Sequence, residues 1–211
     1  YRRQRQMCIR DREKIDPVRF ITNHSTGKMG RAIAENCMLR GAHVTLVNAS
    51  VSVEPPMFVD VVNVTSAADM ADVVKSKAAE QDIIIMTAAV ADFCPSHPAD
   101  EKIKKNDSSY ESVIELERTE DILSYLGAHK AKGQLICGFS METQNMLENS
   151  KAKLAKKNAD MIVANNLKVA GAGFGTDTNV VTLITADDCT ELEIMDKSCV
   201  AARIMDRLLK M

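Results

Sequence analysis

Short β-branched runs alternate along the chain with longer stretches of helical periodicity. That alternation predicts an α/β fold, a doubly wound, Rossmann-like and mainly parallel sheet with helices on both faces. Met29 to Arg40 places Ile33, Cys37 and Met38 on one helical face and ends at Gly41. His43-Val44-Thr45-Leu46-Val47 reads as the next strand. A second βαβ unit follows: Phe58 to Val64 as strand, Ala67 to Glu80 as a helix capped by Ser66, and Asp82 to Met86 as a buried strand centred on Ile83-Ile84-Ile85. From Asp92 to Ser109 the rhythm breaks, with two prolines, dense charge and no apolar period, so this segment is predicted as a long excursion of the kind that usually carries function. The alternation resumes with a short strand at Val113 to Leu116, a helix from Asp121 to Ala131 and a strand from Leu135 to Phe139. A helix from Leu147 to Lys157 and a strand from Met161 to Ala164 complete it. The C-terminal part reads as a hairpin, Val180 to Thr185 against Leu192 to Met195 through Asp187-Asp188, then a helix from Lys197 to Leu209.

Tyr1 to Arg12 departs from this pattern. It carries five arginines and no strand pattern where a doubly wound fold places its first central strand, so that strand is expected to be missing. Met7-Cys8-Ile9-Arg10-Asp11-Arg12 resembles translated sequencing-adapter read-through; a native basic arm is the alternative. The expected organisation is a 1–12 arm followed by one domain over 13–211.

Composition changes this picture little. The 211 residues are 45% hydrophobic and 27% charged, ordinary for one domain with a real core. A net charge of −2 gives no global basic field, which argues against non-specific nucleic-acid binding and requires any bound anion to be held locally. None of the six cysteines forms a CxxC pair, which fits a reducing, cytoplasmic setting. The longest apolar run, Ile83 to Ala91, is far short of the roughly 20 residues of a bilayer span, and no signal-peptide pattern opens the chain.

Two segments carry candidate chemistry. In Asn23-His24-Ser25-Thr26-Gly27-Lys28-Met29-Gly30, polar residues and glycines run directly into a helix, which puts backbone N–H groups and the positive end of the helix dipole where a phosphate can sit. Gly27 and Gly30 permit close backbone approach, and Ser25 and Thr26 add hydroxyl donors. The same stretch can be read as an ordinary helix cap. It can also be read as the opening of a short-chain dehydrogenase, but that enzyme needs a Lys four residues after a Tyr, and Tyr1, Tyr110 and Tyr125 are followed there by Arg5, Ile114 and His129. The following strand also ends at Asn48 rather than at the acid that reads a ribose hydroxyl. In the second segment, Thr87-Ala88-Ala89-Val90-Ala91-Asp92, small residues at a buried strand's end leave room for a ligand, and Asp92 can accept from a ribose or help hold a metal. Lys102, Lys104 and Lys105 beyond it also fit a solvated loop face.

Taken in order, these blocks resemble the bacterial phosphopantothenoylcysteine synthetases (phosphopantothenate–cysteine ligases). The resemblance rests on Asp16-Pro17-Val18-Arg19-Phe20-Ile21-Thr22-Asn23 through Gly30, Ala88 to Asp92, Glu101-Lys102-Ile103-Lys104-Lys105 and Thr119-Glu120-Asp121-Ile122-Leu123. It extends through Gly138-Phe139-Ser140-Met141-Glu142-Thr143, Lys156 to Asn165 and Gly173 to Asn179, and so covers Glu13 to the C-terminus. The family joins 4′-phosphopantothenate to L-cysteine through an acyl-cytidylate, using CTP and releasing pyrophosphate and CMP. The resemblance implies that Lys102 supports formation of that intermediate and Asn23 its conversion to product. It implies nucleotide contacts at Met86, Thr87, Ala88, Asp92, Lys102, Glu120, Asp121, Ile122, Leu123, Phe139, Lys153 and Lys157, with Ser25 and Gly27 in the anion turn. Lys153 and Lys157, four apart on one helix, face the same way. Mg²⁺ is expected from triphosphate chemistry, although no metal-ligand cluster stands out and its protein ligands stay unassigned. Glu142 is a weaker candidate for substrate contact.

The chain departs from the family twice. A Gly-Gly-Thr turn normally precedes the segment matching Glu13 to Pro17, and Glu120 stands where proline is common. Without the first strand, reduced stability and impaired turnover are expected, so an inactive nucleotide-binding fragment remains an alternative beside the NAD(P)-dependent short-chain reductase. The family also implies a homodimer and a fusion to a flavin-dependent decarboxylase, with FMN relevant only if such a half precedes this chain.

Overall fold

A strand buried on both faces must be apolar on both, and Ile83-Ile84-Ile85-Met86 meets that demand with all four side chains buried. The computed structural model describes residues 3–8, 11–49, 53–104, 113–142, 145–166 and 175–211, and for 3–8 and Glu142 the backbone alone. The first half of the chain runs β1 (Arg3–Cys8), β2 (Glu13–Lys14), β3 (Phe20–Ile21), α1 (Lys28–Leu39), β4 (His43–Ala49), β5 (Asp60–Val64), α2 (Ala67–Ala78) and β6 (Ile83–Met86). It continues with β7 (Phe93–Pro95), β8 (Leu116–Arg118), α3 (Ile122–Ala128), β9 (Leu135–Glu142), α4 (Met146–Lys156) and β10 (Met161–Asn166). Last come β11 (Thr178–Asn179), β12 (Val181–Ile184), β13 (Cys189–Glu191), β14 (Met195–Asp196) and α5 (Lys197–Leu208).

The main sheet has the order β13-β12-β10-β9-β6-β1-β4-β5. Its pairs from β10 to β5 are parallel, and β12 and β13 are antiparallel. Alternate residues along each strand supply two separate cores. Val44, Leu46, Ile83, Ile85, Cys137, Met161 and Val163 pack with α1 and α5, while Val47, Ala49, Ile84, Met86, Ile136, Ile162 and Ala164 pack with α2, α3 and α4. Local chemistry sets the helix starts. Ser66 and Asp69 form a reciprocal capping box on α2, and Asp121 accepts from the Ser124 N–H at the start of α3.

Three expectations are corrected. The first central strand is present: Arg3–Cys8 lies between β4 and β6, parallel to both. Ladder bonds belong to the backbone and require no apolar alternation, so an arginine-rich segment can fill a gap that β4 and β6 would otherwise leave unpaired. The expectation of lowered stability and turnover from a missing strand therefore loses its premise. The C-terminal hairpin turns at Asp187-Asp188 as expected, but its second strand is Cys189–Glu191, not Leu192 to Met195. Asp188 is the cause: its carboxylate accepts from Cys189 N and Thr190 Oγ1, and its carbonyl from Thr185 N, so pairing begins immediately after the turn. Met195 instead pairs with Asn179. The excursion after Asp92, finally, has a regular base, because β7 and β8 form an antiparallel ribbon with Phe93 opposite Arg118. Lys105, Thr143, Gly173 and Phe174 lie outside the described residues, as does the Glu142 side chain.

Gly127, near the end of α3, sits so close to the end of α4 that an added Cβ would stand 1.8 Å from the Lys157 carbonyl oxygen. Gly127→Ala must therefore push the two helices apart. The expected loss is about 1–3 kcal/mol, read as a lower urea midpoint; an unchanged midpoint would show that the helices have room to separate.

Candidate functional site

From β1 the chain winds one way across the sheet, through β4 to β5; from β6 it winds the other way, through β9 to β10. The carboxyl ends of β1 and β6 therefore part, and a crevice opens there. After β6, residues 87–92 form no helix or strand. They are held from both sides by side chains. Ala91 N–H donates to Asp11 Oδ2 at 2.7 Å, and Asn23 Nδ2 donates to Ala89 O and, at 3.1 Å, to Asp11 Oδ1. From the β8 side, Thr119 Oγ1 donates to Ala91 O and Thr119 N–H donates to Asp92 O at 3.1 Å. Asp11 is fully buried, and burial pushes its carboxyl up, offset in part by the Ala91 and Asn23 donors.

This segment separates two cavities. The inner one, about 290 Å³, is lined by Ser25 to Gly30, Thr87 to Val90, Asp92, Phe139 to Met141, Lys153, Asn165, Asn179 and Lys197. The outer one, about 490 Å³, is lined by Met86, Ala88, Val90 to Phe93, Arg118 to Leu123, Phe139, Lys153 and Lys157. They share Ala88, Val90, Asp92, Phe139 and Lys153. Of the residues singled out in the sequence, Met86, Asp92, Glu120, Asp121, Ile122, Leu123, Phe139, Lys153 and Lys157 meet in the outer cavity. Ser25, Gly27 and Thr87 meet in the inner one, and Ala88, Asp92, Phe139 and Lys153 face both.

The two cavities differ electrostatically. In the outer one each acid except Asp92 has a basic partner: Lys157 Nζ donates to Asp121 Oδ2 and Ser124 Oγ, and Lys75 from α2 pairs with Glu120. Burial pushes the Asp121 carboxyl up, but the Lys157 and Ser124 donors outweigh it and hold the group below its ordinary range. Lys153 Nζ donates to Phe139 O at 2.9 Å and so stands at the junction. The inner lining contains three lysines, Lys28, Lys153 and Lys197, and one acid, Asp92. It also contains the start of α1, whose N-cap Gly27 takes φ 80° and which no side chain caps, so its first N–H groups remain directed outward.

Asn23 and Lys102 line neither cavity. Both amide functions of Asn23 are engaged, Oδ1 accepting from Ser25 N–H at 2.8 Å and Nδ2 serving the wall segment, so Asn23 positions the loops around it. Lys102 is exposed. Its neighbour Ile103 is tied back to the loop before Asn23, Ile103 N–H donating to Asp16 Oδ2 and Arg19 Nη2 donating to Ile103 O. Residues that sequence reasoning passed over include Asp11 and Thr119, which hold the wall, and Lys28, Lys197, Asn165 and Asn179 in the inner cavity. Asn165, Asn179 and Lys28 stood inside blocks already noted; Asp11 and Lys197 had no signal beyond charge. Tyr125 stacks on His129 at 4.1 Å beneath Lys75 and lines neither cavity, so it gives the short-chain reductase reading no support.

Comparison with known proteins gives a consistent result. Residues 10–211 match the model of the DNA/pantothenate metabolism flavoprotein C-terminal domain. The chain is 48% identical over 199 residues to the coenzyme A biosynthesis bifunctional protein CoaBC of Bacillus subtilis (strain 168), covering 93% of this chain and 48% of that protein. It is 38% identical over 198 residues to the Escherichia coli (strain K12) protein of the same name, covering 93% and 49%. The chain thus spans about half the length of these curated relatives. A crystal structure of the C-terminal domain of a CoaBC protein superposes with TM-score 0.83 at 42% identity, over 98% of this chain and 93% of that one.

Asp16 anchors the Lys102 segment with a carboxylate that accepts from Val18 N, Arg19 N, Arg19 Nε, Arg19 Nη2 and Ile103 N. The Arg19 guanidinium, with those backbone donors, holds this carboxyl well below the usual carboxylate range. A depressed folded-state value means that the group's stabilisation is intact above the unfolded carboxylate range and is lost as pH falls through the folded value. Asp16→Asn, which puts an amide donor among donors, is expected to unfold at lower urea than the parent. That gap should stay constant from neutral pH to about pH 4 and close below it. A gap that closes well above pH 4 would contradict the assignment.

Proposed function

Because the chain belongs to the family of the DNA/pantothenate metabolism flavoprotein C-terminal domain, we propose that it joins 4′-phosphopantothenate to L-cysteine at the expense of CTP, as one step of coenzyme A synthesis. The observation that carries this reading is the pair of cavities meeting at one wall, because the reaction needs two anionic substrates brought end to end. The outer cavity suits the nucleoside: Asp92 can accept from ribose hydroxyls, while Lys153 and Lys157 offer cations to the phosphates. A carboxylate oxygen of phosphopantothenate attacks the α-phosphorus, the bond to the bridging oxygen of the β-phosphate breaks, and pyrophosphate leaves. The cysteine amine then attacks the acyl carbon of the cytidylate, CMP departs with the bonding pair, and the amine proton passes to solvent or a nearby base.

Lys102 is assigned to offset charge at the α-phosphate and Asn23 to the second step. Both roles require the Lys102 segment to close over the wall and the Asn23 amide to exchange one of its present partners. Mg²⁺ fits this site only as an ion held mainly by phosphate oxygens, since no cluster of three acidic, His or Cys ligands exists among the described residues and Asp92 is the one acid lining both cavities. When bound, it would neutralise triphosphate charge. A homodimer belongs to the same proposal, and exposed apolar residues available to it include Val18 and Phe20 at the antiparallel pair of β2 with β3 and Phe93 and Leu116 on the β7–β8 ribbon. An FMN-dependent decarboxylase half preceding the segment would account for relatives of twice this length.

Pyrophosphate release with phosphopantothenate and CTP, with and without cysteine, tests the proposal, and ATP at matched concentration tests the base preference. Release is expected with CTP. Lys153→Met should lower kcat/KM for CTP about 10–100-fold, the equivalent of losing one or two charge-assisted hydrogen bonds. No release with either triphosphate would remove the reading.

A further inference from the structure

Lys197 is the first residue of α5 and is only 8% exposed, an unusual place for an ammonium group. Its Nζ donates to Thr176 O, while Lys28 Nζ donates to Gly175 O and Asp177 Oδ1, each at 2.8 Å. Two lysines from different helices thus hang on three consecutive residues, and both line the inner cavity. Asn165 lines it too. Its Oδ1 accepts from Asn179 Nδ2 at 2.8 Å, and its NH₂ is the donor it can offer the cavity. Asp177 lies mostly in solvent, and Glu35, Glu54 and Asp196 line a neighbouring cavity with the same two lysines, whereas the lining of the inner cavity holds one acid, Asp92. Burial, and then Lys28, push the Lys197 ammonium below its ordinary range, with Asp177 opposing.

We propose that Lys28, Lys197 and Asn165 form a phosphoryl cradle in the inner cavity, beside the uncapped start of α1, whose first residue is Lys28. The shared chemistry is a terminal phosphate group carrying two or more negative charges. On the reading above, on which this inference rests, two substrates supply one: the distal phosphates of the triphosphate, which leave as pyrophosphate, and the phosphate monoester of phosphopantothenate. The donor set, two ammonium groups, an amide NH₂ and the first N–H groups of α1, matches either.

Direct titration separates the sources without turnover. Pyrophosphate, phosphopantothenate and unphosphorylated pantothenate are titrated calorimetrically into the parent, Lys197→Met and Lys197→Arg. Lys197→Met should weaken pyrophosphate or phosphopantothenate about tenfold, identifying which group occupies the cradle, while Lys197→Arg stays within about threefold and pantothenate binding does not move. If Lys197→Met does not fold, Lys28→Met carries the same expectation. A folded variant that binds both phosphates as tightly as the parent overturns the cradle, as does a parent that binds neither. An absence of pyrophosphate release by a parent that still binds these anions through Lys197 would remove the ligase reading and leave the cradle standing.

Discussion

The arrangement of the site depends on one short wall. Residues 87–92 have no ladder and no helix of their own, and groups from outside hold them by hydrogen bonds: the Asp11 and Asn23 side chains from the β1 side, the Thr119 hydroxyl and N–H from the β8 side. A buried carboxylate is a costly way to hold a backbone N–H, yet it is suited to the task because it can only accept, and so fixes which way Asn23 points. With the wall upright, one crevice becomes two cavities that share a face. Were it to lean, the two cavities would merge, and the alignment that the proposed reaction needs would be lost.

The compartments divide the electrostatic work. Ion pairs such as Lys157 with Asp121 organise the outer cavity, and Asp121 also caps α3, so one carboxylate sets a helix start and a lysine position together. In the inner cavity three lysines face one acid, and the start of α1 adds its dipole. The chain as a whole carries a net charge of −2, so this local excess is built by placement and not by composition. Such an excess is what the proposed polyanionic substrates require.

Much of this was legible in the sequence. Period-two and period-3.6 patterns locate the strands and helices, because burial on two faces of a sheet leaves few alternatives, and the ordered blocks identify the residues that gather along the outer cavity. Illegible features shared a cause: they rest on backbone pairing or on contacts far apart in sequence. Arg3–Cys8 is a strand because β4 and β6 need a partner between them. The hairpin strand Cys189–Glu191 is exposed throughout, so no apolar signal marks it. Lys197 reads as an ordinary helix residue until the fold brings it beside Lys28, 169 positions away in the chain. Asn23 shows a further limit, since its residue type suits a role at a reacting centre while its present bonds hold the wall.

A crystal structure with CTP and phosphopantothenate bound together tests the central claim most directly. The α-phosphorus should lie at the shared face formed by Ala88, Val90, Asp92, Phe139 and Lys153, with the base in the outer cavity and the phosphopantothenate carboxylate within reach from the other side. Finding both ligands in one cavity, or the base against Ser25 to Gly30, would contradict it.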